Sequence, residues 1–109
     1  MKTPTPESLT DLGRFSEPAL FVLLSLAEGP KHGYAMTQDI EQVTGQKLGP
    51  GTLYGAIARL EARRWIEPLP SDDRRRPYKL TGTGERVLRA RLQGLRAVMR
   101  VGRTRLADA

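Results

Sequence analysis

Three short clusters carry whatever chemistry this chain has: Lys31, His32 and Tyr34; Gly51, Thr52, Tyr54, Gly55 and Arg59; and Arg74, Arg75 and Arg76. They are cations, phenols, a hydroxyl and glycines. No carboxylate pair, nucleophile with a neighbouring base, or phosphate loop stands among them, which argues against an enzyme. Gly82-x-Gly84 is too short to be a nucleotide fingerprint and reads as a helix start. Cysteine is absent and there is one histidine, so disulfides, thiolate metal sites and metal clusters are excluded, and no cofactor is expected. What remains is recognition of a polyanion. Cations and hydroxyls meet phosphate, and small residues let a backbone approach closely.

The elements that must position these residues follow from periodicity. Gly49-Pro50 is a helix start, because Pro50 has its φ already set for the first helical position. Leu53, Ile57 and Leu60 then repeat at i, i+4 and i+7, one narrow apolar stripe, while Gly51, Thr52, Gly55 and Arg59 point elsewhere. Upstream, Ser16 caps a helix in which Leu20, Leu23, Leu24 and Ala27 repeat up to Gly29-Pro30. Phe21, Val22 and Leu26 make that helix apolar nearly all round, so a second buried side, against another subunit, is expected. Next comes a helix from His32 to Val43, with Met36, Ile40 and Val43 on one face and Thr44-Gly45 closing it. The short connector Gln46-Lys47-Leu48 forces a steep crossing, which is the helix-turn-helix arrangement.

Beyond Arg63-Arg64, the segments Trp65 to Pro70 and Tyr78 to Thr81 alternate around a turn with the basic tip Arg74-Arg75-Arg76, as in a two-stranded hairpin. Pro68 and Pro70 confine the first strand to a free edge, so this is a small wing. Thr81 caps a last helix. In it Leu88, Leu92, Leu95, Met99, Gly102 and Leu106 are spaced 4, 3, 4, 3, 4, a coiled-coil-like seam that, with Phe21, predicts a homodimer contact. Arg86, Arg89, Arg91, Arg96, Arg100, Arg103 and Arg105 cover its other faces.

At 109 residues the chain has room for one modest core. Residues 1–15, with few large apolar groups before Leu9, read as a flexible arm, residues 16–81 as the DNA-binding domain and residues 82–109 as the dimerisation helix. The fold class is mainly α with a small β-hairpin. The net charge of +6 lies almost wholly after residue 80: residues 1–64 are balanced and residues 81–109 hold seven basic and two acidic groups. No apolar run reaches the length of a membrane span and the start lacks a signal-peptide core, so a cytoplasmic protein with no membrane partner is expected.

Four short motifs in this order resemble the PadR-like transcriptional regulators: His32-Gly33-Tyr34, Gly51-Thr52-Leu53-Tyr54, Arg59-Leu60-Glu61 and Tyr78-x-Leu80-Thr81-x-x-Gly84. Together they cover roughly residues 17–90. The resemblance implies a winged helix-turn-helix dimer of the short subtype with a single C-terminal helix. It also implies a repressor, released by a small aromatic or drug-like effector at the dimer interface. Two positions depart from the family pattern. Gly55 stands where proline is common, and Arg64 where glycine is common just before the wing. The first loosens the helix by roughly 0.5–1 kcal/mol relative to alanine; the second argues against a left-handed helix end. The last helix has no aromatic residue, leaving Phe15 or Phe21 for an aromatic effector to stack on.

On this reading the dimer straddles a pseudo-palindromic site in double-stranded DNA. Thr52, Tyr54 and Arg59 contact phosphates or base edges, with Gly51 and Gly55 allowing close entry into the major groove. Lys31, His32 and Tyr34 anchor the second helix on the backbone, and Arg74, Arg75 and Arg76 reach the neighbouring minor groove or its phosphates. The rival is a winged-helix adaptor that binds protein, which would show no salt-dependent retention on DNA.

Overall fold

In the computed structural model, which describes residues 17–72 and 74–107, three short helices, a hairpin and one long helix follow one another. The helices are α1 (Glu17–Ala27), α2 (Gly33–Thr44), α3 (Pro50–Ala62) and α4 (Gly82–Ala107); the strands are β1 (Ile66–Pro68) and β2 (Tyr78–Leu80). The N-terminal arm of residues 1–15 with Phe15, and the Ser16 cap, lie outside the described residues.

One core joins all of these elements. Val22, Leu23 and Leu26 of α1 meet Met36 and Ile40 of α2, Leu53, Ala56, Ile57 and Leu60 of α3, Ile66 of β1 and Leu88 of α4. The apolar stripe of α3 is buried as its spacing requires. One expectation fails: Val43, read on one apolar face with Met36 and Ile40, is 63% exposed because α2 runs past the core in its last turn. The core engages one arc of the all-apolar α1, which leaves Leu24 36% exposed on a second side. Both line a groove between α1 and α2 with Phe21, edged by Glu28 and Asp39.

The end of α3 overturns another expectation. Arg64 adopts φ 59, so a left-handed residue ends the helix although it is not glycine. The Trp65 N–H donates to the Leu60 carbonyl at 3.1 Å and the Arg64 N–H to the Glu61 carbonyl at 2.9 Å, which together form a Schellman motif. Trp65 packs on the core and Arg63 lies over its ring at 5.1 Å, so burial of the indole holds the turn in place. A left-handed L-residue costs about 1–2 kcal/mol, partly offset by the greater chain entropy glycine loses. Arg64→Gly is therefore expected to stabilise the fold by about 0.5–1 kcal/mol, read from the urea midpoint. A destabilised variant would mean that the arginine side chain holds the turn.

The wing is an antiparallel pair in the register Ile66↔Leu80, Glu67↔Lys79 and Pro68↔Tyr78, with a Glu67–Lys79 ion pair at 3.2 Å. On the other side of β2, Lys31 and Tyr78 exchange backbone hydrogen bonds of 3.1 and 2.9 Å. That makes β2 central and leaves β1 at the edge, where Pro68 costs no ladder bond. Thr81 starts α4: its hydroxyl accepts from the Gly84 N–H at 3.0 Å and donates to the Arg64 carbonyl at 2.7 Å. Gly84 itself lies hard against the Trp65 carbonyl. Beyond Leu88 the helix leaves the core, and the molecule measures 56 × 27 × 22 Å. The first two turns of α4 thus pack on the same core as the three shorter helices, through Leu88 and the partly buried Val87.

Candidate nucleic-acid interface

Helix α3 separates its two tasks cleanly. Leu53, Ala56, Ile57 and Leu60 are buried, whereas Gly51, Thr52, Tyr54, Gly55 and Arg59 are all exposed. The N-cap is Gly49, with extended backbone and no side-chain cap bond, so no side chain competes for the first N–H groups of the helix. A methyl group added at Gly51 or Gly55 would meet nothing of the protein within 4 Å. Their smallness answers no packing demand inside the chain, and it keeps this exposed face low.

The start of α2 is built differently. The Nδ1 of His32 accepts from the Ala35 N–H at 3.4 Å, so the imidazole caps the helix. Gly33 is buried under Tyr54: a β-carbon there would lie 2.7 Å from the tyrosine hydroxyl. Tyr54 thus braces α3 against α2 while staying 55% exposed. Tyr34 is 62% exposed, and its hydroxyl accepts from Gln38 Nε2 at 3.3 Å. Lys31 does not present a cation outward as its neighbours suggested. Its ammonium, on a side chain 13% exposed, donates to the Ser25 carbonyl and lies 3.7 Å from Glu28 and 3.9 Å from Asp39. Water is scarce there and partners are near, so Lys31 ties α1 to α2.

Three pieces distant in sequence close into one cleft of about 470 Å³, lined by His32, Gly33 and Tyr34, by Tyr54, by Arg74, Arg75 and Arg76, and by Tyr78. The fold therefore brings the wing arginines to the tyrosines of α2 and α3, while Gly51, Thr52, Gly55 and Arg59 continue the exposed surface along α3. Gly33 and Tyr78 escaped the sequence reading as site residues. Their signal was there, since both belong to the motifs quoted above. Burial, and after it the Glu61 carboxylate, pushes the Tyr78 hydroxyl above the usual tyrosine range against an opposing pull from Arg76. The phenol therefore stays a neutral hydrogen-bonding group below that range.

Of the residues expected at a dimer contact, Leu88 is spent inside the chain, 4% exposed in its own core, and Phe21 is partly buried. Leu92, Leu95, Met99 and Leu106 are exposed, joined by Val98 and Val101. Among the described residues no three acidic, histidine or cysteine groups could hold a metal ion, and no helix is long and apolar enough to cross a membrane.

Three helices, the third with an open small-residue face, followed by a hairpin with a basic tip, define a winged helix-turn-helix protein. Residues 22–90 match the family of PadR-like transcriptional regulators, and the chain belongs to that family, whose members are regulators of transcription and not enzymes. Over 75 residues it is 51% identical to an uncharacterized 37.1 kDa protein in a transposon of Streptomyces fradiae; the match covers 69% of this chain. It spans only 22% of that relative's length. Among solved structures, a PadR family transcription regulator from Clostridium difficile is similar with a TM-score of 0.75 at 23% identity, covering 84% of this chain and 99% of that one. A transcriptional regulator from Clostridium thermocellum is similar with a TM-score of 0.72 at 22% identity, covering 91% and 94%.

Proposed function

We propose that this chain is a homodimeric, sequence-specific DNA-binding regulator that represses transcription in the cytoplasm by occupying a pseudo-palindromic operator. The observation that carries the reading is the continuous outward face formed by α3, the start of α2 and the wing tip, with glycines where nothing inside the chain requires them. Thr52, Tyr54 and Arg59 reach the major groove, Tyr34 stands at the backbone, and the wing arginines contact flanking phosphates. His32 acts through the helix it caps.

The deciding experiment is nuclease protection of the chain's own promoter region by the purified protein. The expected result is an inverted repeat whose half-sites lie about one helical turn, or a multiple of it, apart. No protected site and no salt-dependent retention on DNA would leave a protein-binding adaptor instead. Within α3, Gly55→Ala is expected to stabilise the helix by about 0.5–1 kcal/mol yet weaken operator binding roughly tenfold, about 1.4 kcal/mol. Unchanged affinity would show that this turn does not approach the groove closely.

For the dimer, the exposed seam of α4 is apolar and flanked on one side by Arg91 and Arg105, while the α1–α2 groove of Phe21, Leu24 and Val43 is edged by Glu28 and Asp39. The two surfaces are complementary in shape of charge, so α4 of one protomer suits the groove of another. Sedimentation should give twice the chain mass, falling to one in the double variant Leu95→Glu, Met99→Glu. A monomer before substitution would sink the half-site argument.

A small effector has room in a cavity of about 500 Å³ between α1, β2 and α4, walled by Leu26, Leu80, Leu88 and Leu92, with Lys79, Glu85 and Arg89 beside them. Lys79 is paired with Glu67 and Arg89 with Glu85, so that lining suits a largely apolar ligand. Its binding would be read as loss of the operator footprint.

A further inference from the structure

Helix α4 carries a second cationic surface that the operator-binding face does not use. At about 100° per residue, Arg86, Arg89, Arg96, Arg100 and Arg103 fall within an arc of about 100°, with Gln93 filling the gap between Arg89 and Arg96. They form a straight row about 25 Å long. All five are exposed. Glu85, 2.8 Å from Arg89, is the row's acidic partner, and Arg86 donates to the Thr83 hydroxyl. Among the described residues Arg96, Arg100 and Arg103 have no side-chain partner. Like charges three and four residues apart repel along a helix, and among the described residues the Glu85–Arg89 pair is the one ion pair that offsets this row.

The chemistry around the row selects its occupant. No large apolar residue lies within the arc; the apolar seam of Leu92, Leu95 and Met99 is on the adjacent face, which the dimer reading already uses. A protein partner needs an apolar centre to its contact, and an acidic membrane needs an apolar face free to insert. A nucleic-acid duplex needs neither: its interfaces are polar, wet and positively charged, and a guanidinium fork fits a phosphate. Helix α4 packs on α1 and, at its start, on Trp65 and Leu80. The row is therefore apart from the cleft that gathers Tyr54 and the wing arginines.

We propose that the arginine row of α4 is a second, sequence-independent contact for double-stranded nucleic acid, through which a molecule seated at one site holds a further stretch of duplex. The proposal rests on the row and stands whether or not α3 reads an operator.

The test measures affinity for a random-sequence DNA duplex across a salt series with three proteins. They are the unaltered chain, a variant with Arg86, Arg89, Arg96, Arg100 and Arg103 all replaced by glutamine, and a variant with Arg59, Arg74, Arg75 and Arg76 replaced by alanine. Glutamine keeps helix propensity, and circular dichroism with sedimentation checks fold and assembly. The glutamine variant is expected to lose about tenfold or more in affinity at low salt, its salt slope shrinking by about 0.9 for each phosphate contact removed. A five-lysine version should keep the slope. The alanine variant should retain the share of the slope that belongs to α4. Should α3 and the wing not bind DNA at all, the alanine variant would match the unaltered chain while the glutamine variant lost nearly all binding, which still supports the row. A glutamine variant with an unchanged slope overturns the proposal. So does a row whose removal abolishes binding to phosphatidylserine vesicles but not to the duplex.

Discussion

With Arg74, Arg75 and Arg76 replaced together by alanine, the protein is expected to bind every DNA sequence roughly a hundredfold more weakly, with a salt slope smaller by about three per protomer. The three guanidinium groups stand exposed at the wing tip and border the same cleft as Tyr34 and Tyr54. Each cation that neutralises a phosphate releases counterions worth about 0.9 in the slope, and such contacts position a protein without reading bases. Loss should therefore fall equally on operator and random DNA, leaving the ratio between them nearly unchanged. Thermal stability should hardly move, because these side chains are on the surface. An unchanged slope would take the wing out of the interface; a selective loss on the operator would make it a reader of bases.

Gly84→Ala is expected to cost about 2–4 kcal/mol of stability, seen as a fall of more than about 10 °C in the thermal midpoint. A β-carbon at this position would lie 1.9 Å from the Trp65 carbonyl oxygen, 2.8 Å from its carbon and 3.1 Å from Leu80 Cδ1. That carbonyl also accepts the Thr81 N–H at 3.0 Å, so it cannot swing aside without opening the join between β2 and the start of α4. Separating α4 from the hairpin would relieve the clash but uncover Leu88 and Trp65. Alanine is the better helix former by about 1 kcal/mol, which the clash must exceed. The same substitution at Gly55, where the added methyl meets open space, has the opposite sign for stability. A midpoint that holds at Gly84→Ala would mean that α4 and the wing are not locked together.

Helix existence was legible because an apolar residue every three or four positions leaves few other ways to hide it, and α1 to α4 lie where Leu20 and Leu23, Met36 and Ile40, Leu53 and Ile57, and Leu88 and Leu92 recur at that interval. The ends with chemical signals were legible too: Pro50 begins α3, Gly45 follows α2, and the Thr81 hydroxyl caps α4. So was the outward set of α3, since residues left over from a narrow stripe must face away. Arg64 was not legible. Its left-handed turn is held by Trp65 sinking into a core assembled from helices far along the chain.

What the sequence alone determined, then, is the order and kind of the elements, their caps, and the residue types offered to a polyanion. These rest on local periodicity and on hydrogen bonds made within a few residues. Only the tertiary structure decided where each side chain spends its charge and surface. It turned Lys31 inward to the Ser25 carbonyl, drew Leu88 into the chain's own core, left Leu24 and Val43 outside, and gathered Tyr34, Tyr54 and Arg76 around one cleft. The physical reason is common to all of these. Burial and the distance between opposite charges are set by elements packed side by side, and neighbours along the chain carry no record of them.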